Sequence, residues 1–254
     1  MKKIFAGFCF IILGTTTTGL AQQNFFNVIS SEITPAKRTF FQQQLNFTAQ
    51  DVQSNTTFST GLGKNFEIGF NYFGFTLNRN GRPIIEKETD KAPYNDFLML
   101  NVQKRWDINP KMALAVGFQQ GITTSRQVHS GGNYYSNYCF TDTLNGLKCV
   151  AGIYYATTSF FGPGHRLAGH DIAGIQLGVE KSIIKEKWYF QSDFISGEHS
   201  FGDLIIGTAY YVFPATALSA GYQIPTFKSQ SRPALIFELT LLPHTHTKHH
   251  KHIG

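Results

Sequence analysis

Four groups of side chains in this chain are of types that could do chemistry. The run His244-Thr245-His246-Thr247-Lys248-His249-His250-Lys251-His252 sets five imidazoles within nine residues. Neutral imidazoles of this kind bind Zn²⁺, Cu²⁺ or Ni²⁺, although a polar tail supplies no outer groups to fix its ligands. Gly197-Glu198-His199-Ser200 places a carboxylate, a base and a hydroxyl side by side. A hydrolytic triad needs the imidazole between the other two in space, which adjacency along the chain does not deliver. His199 and Ser200 are therefore candidates for a lipid hydrolase, not a motif for one. His165 and His170-Asp171 follow no ligand spacing. Cys139 and Cys149 are expected to pair as a disulfide in an oxidising compartment, since a metal pair would want closer spacing or further ligands.

That compartment is read from the N-terminus. Lys2 and Lys3, an apolar run over 4–14, and Gly19-Leu20-Ala21 have the order of a secretory signal over 1–21. Thr15 to Thr18 cut the run well short of the ~20 apolar residues a membrane helix needs. Cys9 lies inside the run, too early for a lipoprotein. Loss of Lys2 and Lys3 lowers the net charge from +6 to +4, and no dense basic stripe remains for nucleic acid.

The elements that must position these residues alternate with a period of two. Leu218, Ala220, Tyr222 and Ile224 oppose Ser219, Gly221 and Gln223; Leu235, Phe237, Leu239 and Leu241 oppose Ala234, Ile236, Glu238 and Thr240. Each such strand has one apolar face and one small or polar face. Ten strands of this type are predicted, over 38–48, 57–63, 66–77, 96–106, 112–123, 170–181, 188–195, 203–213, 217–224 and 233–242. Their lengths suit a tilted bilayer crossing, and short turns alternate with longer connections. A soluble sandwich would carry many charges on its open faces, whereas only 15% of this chain is charged, against ~25% in soluble domains. The expected fold is all-β: a transmembrane antiparallel barrel in the outer membrane, with 22–37 as a periplasmic segment at the rim or in the lumen, the barrel over 38–242, and the His-rich tail over 243–254 in the periplasm. Segment 124–167 is read as an outer loop, with a hairpin around Asn145-Gly146; if that hairpin joins the wall, the count is twelve.

Glu67, Arg105, Glu180, Asp193 and Glu238 fall on the predicted inner face, where charge is required if these segments span. They would line a pore or form a salt-bridge network filling it. Passive passage of a small solute is the leading functional expectation. An outer-leaflet hydrolase, or an adhesive barrel acting through 124–167, are the alternatives.

Leu20-Ala21-Gln22-Gln23 and the run from Ser200 to Leu242 resemble outer-membrane barrels of Gram-negative bacteria. Within that run, Gly207-Thr208-Ala209-Tyr210-Tyr211 and Tyr222-Gln223-Ile224-Pro225 resemble transporter-like barrels of the phenol-degradation MetA pathway family. The resemblance implies lipid and the barrel-assembly machinery as partners, with no cofactor. It departs at the end of the chain, where Leu241-Leu242 precedes twelve more residues in place of a terminal aromatic.

Overall fold

The computed structural model describes residues 24–78, 80–83, 92–94, 96–124, 127–162 and 171–243. The expected signal over 1–21, His165, His170 and the imidazoles His244, His246, His249, His250 and His252 lie outside the described residues.

Twelve antiparallel strands close in chain order: β1 Thr39–Thr48, β2 Asp51–Gly63, β3 Phe66–Asn78, β4 Phe97–Asn109, β5 Met112–Thr123, β6 Ser130–Asp142, β7 Leu147–Thr157, β8 Asp171–Ile184, β9 Trp188–Ile195, β10 Asp203–Phe213, β11 Thr216–Pro225 and β12 Ala234–Leu241. The seam is β1 on β12, in register from Phe41 opposite Leu241 to Thr48 opposite Ala234. Closure leaves no edge with unpaired amides, which hydrocarbon would not tolerate. Outward side chains such as Phe70, Leu98, Ile153 and Phe237 are exposed and apolar. Gln42, Gln44, Asn137, Gln176, Gln191 and Thr240 are buried inside. This is a transmembrane barrel of the outer-membrane kind. Turns 64–65, 110–111, 143–146, 185–187 and 214–215 are short, while the other end, 49–50 excepted, carries the longer connections. That asymmetry puts the short turns in the periplasm.

The count is twelve because β6 and β7 join the wall, paired to β5 and β8 along their lengths. Adjacent tyrosines, Tyr134-Tyr135 and Tyr154-Tyr155, put one ring on each face and blur the alternation. Segment 124–167 is therefore mostly wall, and a surface role for it as one long loop lapses. Strand β2 likewise starts at Asp51, not 57, since its first half is polar on both faces. Outward Ser54 and Thr56 are tolerated because Gln43 donates to Ser54 Oγ (2.9 Å) and accepts from Thr56 Oγ1 (2.7 Å).

The expected disulfide does not form; both cysteines are free. Cys139 pairs with Val150 and Phe140 with Cys149. Directly opposite residues share a face, so the two thiols lie on opposite sides of the wall. Cys139 is buried in the interior, and Cys149 looks outward. A barrel produced without residues 1–21, and so without Cys9, should titrate two thiols once unfolded in detergent, and reductant should leave its heat-modification midpoint unchanged.

Candidate functional site

Inside the barrel lies the segment 24–37. It rises from the periplasmic rim, where the Lys37 amide donates to the Gly61 carbonyl (2.9 Å), and turns sharply at 25–28. The turn is closed by the Phe25 amide on the Val28 carbonyl (3.0 Å) and by an antiparallel bridge from Asn24 to Ile29. Phe25 and Val28 are fully buried, with Phe26 nearly so. Wall glycines make the room: a Cβ at Gly178 would stand 2.6 Å from the Phe25 ring, and one at Gly207 or Gly221 would stand 2.6 or 2.8 Å from Phe26. Glycine here is a matter of close approach.

Polar wall groups hold this hairpin. Asp193 accepts the backbone amides of Asn27 (2.6 Å) and Val28 (2.8 Å), and Asn27 Nδ2 reaches Asp203 (3.4 Å). Gln103 donates to the carbonyls of Ser30 (3.1 Å) and Glu32 (3.0 Å), and Asn137 donates to that of Ile29 (2.6 Å). Lys148 Nζ sits between Glu32 (3.5 Å) and Glu180 (3.8 Å), over the Phe25 ring at 4.9 Å. Buried charges need such partners, and hydrogen bonds to ionised groups are the stronger class.

The five charges expected inside are all on the interior side, yet most are engaged, not lining an open path. Glu67 accepts the Thr34 amide (2.6 Å). Arg105 reaches the Ser31 carbonyl (3.4 Å) and pairs with Asp107 (2.7 Å). Glu180 accepts Gln191 (2.7 Å) and faces Lys148. Glu238 is buried in the wall against Ser219 (3.4 Å) and Thr240 (3.3 Å). Sequence reasoning missed Lys148, the counter-charge to Glu180, because its strand was read as loop. The signal was present: Lys148, Val150, Gly152 and Tyr154 share one face.

His199 and Ser200 do not meet as base and nucleophile. Ser200 Oγ donates to the Phe161 carbonyl (2.7 Å). His199 Nδ1 accepts the Phe201 amide (3.2 Å), which leaves the proton on Nε2, aimed at the Tyr154 hydroxyl (2.6 Å). The imidazole is fully buried in the connection 196–202, above an aromatic lid of Phe161 and Phe201 stacked at 4.4 Å. The short helix α1, Thr158–Phe161, folds inward to complete that lid.

The lid covers one half of the outer mouth. The other half is an outward vestibule of about 520 Å³, with Asn27 of the hairpin in its lining. Asn46, Gln53, Asn55 and Gln223 form its polar side; Phe73, Tyr94 and Phe201 form the facing side. Phe73 and Thr76 both face in because Gly74, at φ 85°, bulges the strand by one residue, with its amide on Asn55 Oδ1 (2.9 Å).

The chain is similar in fold to the NanC porin. The alignment has a TM-score of 0.53 at 7% identity and covers 82% of this chain and 100% of that one. The outer membrane channel DcaP of Acinetobacter baumannii aligns over 82% of this chain and 96% of its own, at 9% identity and TM-score 0.33. No family model and no curated protein matches the chain, so the resemblance to the phenol-degradation MetA pathway family finds no support.

Two expectations follow from this geometry. Asp193→Asn keeps the shape but removes the charge from Oδ2, the one oxygen that accepts both backbone amides. With charge-assisted bonds worth roughly 1.5–3 kcal/mol, amide exchange at Asn27 and Val28 should quicken by about tenfold or more while the barrel stays folded. Burial holds the His199 imidazole down at about 4, below its usual ~6.5. Its neutral form is the folded one, so stability is full above pH ~6.5 and falls as pH drops toward 4, by at most about 3 kcal/mol. Heat-modification midpoints across that window should show the loss in the native chain and not in His199→Gln.

Proposed function

We propose that this barrel is a passive pathway for small solutes across the outer membrane, closed in this state by its N-terminal hairpin. One observation carries the reading: a segment outside the wall fills the lumen and reaches the vestibule through Asn27, while the wall keeps a complete hydrogen-bonded ladder without it. Withdrawal of the hairpin exposes Glu67, Arg105, Lys148, Glu180, Asp193 and Asp203 to one continuous lumen. Four carboxylates against two cations make that lumen favour cations. The similarity in fold to a porin agrees with this reading.

Planar-bilayer conductance tests it. The native chain should show small or infrequent openings. A variant lacking 24–34, with folding checked by heat-modifiable migration, should conduct steadily at a several-fold higher level with mild cation preference. A folded deletion variant that stays silent refutes the pathway.

A further inference from the structure

The vestibule has two chemically different walls, and together they describe a ligand. The side built by β1, β2 and β11 carries carboxamides. Asn46 accepts from Gln44 at Oδ1 (2.9 Å) and Asn55 accepts the Gly74 amide (2.9 Å), so each keeps its NH₂ for another partner. Gln223 spends its NH₂ on Ser231 (2.8 Å) and the Arg232 carbonyl (3.0 Å), and keeps its oxygen. Gln53 adds a further amide to the same side. Donors and acceptors are thus offered together, at neutral groups. Opposite stand Phe73 and Phe201, with ring centroids 5.3 Å apart, and Tyr94 beside them.

The charges lining the cavity are already committed. Arg232 pairs with Asp51 (3.3 Å), and Asp203 accepts Asn27 (3.4 Å) and Ser231 (3.1 Å). Among the described lining residues no cation is left over to draw an anionic ligand, and a purely apolar ligand would strip the amides of water without replacing it. A ligand that suits both walls bears hydroxyls on one edge and a C–H face on the other. The room, about 520 Å³, lies within the ~300–1,000 Å³ usual for small-ligand pockets.

We infer that the vestibule is a binding site for a neutral saccharide, its hydroxyls on the amides of Asn46, Gln53 and Asn55 and its ring face against Phe73 and Phe201. This names the solute class for the pathway proposed above and rests on that reading only for the direction of passage. Binding itself is independent of conduction.

Calorimetric titration of the intact barrel in detergent decides it, with maltotriose as the neutral probe, glucuronate as the anionic one and phenol as the apolar one. Maltotriose should bind more tightly than either. Gln53→Leu and Phe73→Leu should each weaken it by about tenfold, the loss of roughly one good contact. In the native chain, amide exchange at 46–55 should slow on adding maltotriose, which covers the case of a variant that misfolds. Absence of maltotriose binding, preference for glucuronate or phenol, or unchanged exchange overturns the inference. Saccharide binding by a barrel that never conducts would refute the pathway and leave this site standing.

Discussion

Within a bilayer core no water is present to satisfy a backbone amide, so every N–H and C=O must find its partner in protein. The pairing of β1 with β12 is what meets that demand, since it removes the last two edges. Everything else is arranged around the ring it closes. Apolar side chains take the outer surface because lipid surrounds it, and polar ones are driven inward. Where a polar group does point out, as Gln43 does, Ser54 and Thr56 answer it locally.

Closing a ring of twelve strands encloses more space than the wall side chains fill. The protein uses two fillers of different character. Toward β4–β9 the interior is apolar, with Phe97, Met99, Tyr154, Ile172 and the rings of the lid packed together. The remaining volume receives a segment from outside the wall, bound by charge and backbone contacts and by Phe25 and Val28, which join the same apolar cluster. Both fillers are tightly packed, but only the second lies outside the strand ladder and is held across the lumen by buried charges and amides.

The barrel was legible wherever one face was clearly apolar, as in β11 and β12. It was hidden where a strand is polar on both faces, as in the first half of β2, or aromatic on both, as around Tyr134-Tyr135. Reading β6 and β7 as loop carried a second error with it. It placed Cys139 and Cys149 in a flexible hairpin, where only their separation mattered. In a ladder, register fixes the face of each residue, and theirs differ. The charges on the inner face were readable from alternation alone. Their partners were not, because Asn27, Val28 and Glu32 belong to a segment with no period of its own, and its place is set by cavities at Gly178, Gly207 and Gly221 that appear only on closure.

The tight reversal at 25–28 has a topological consequence. Asn24 lies back beside Ile29, so the described chain reverses inside the barrel, and from Ile29 onward it returns to the periplasmic rim. No rung of the surrounding ladder has to break for that reversal to leave the lumen.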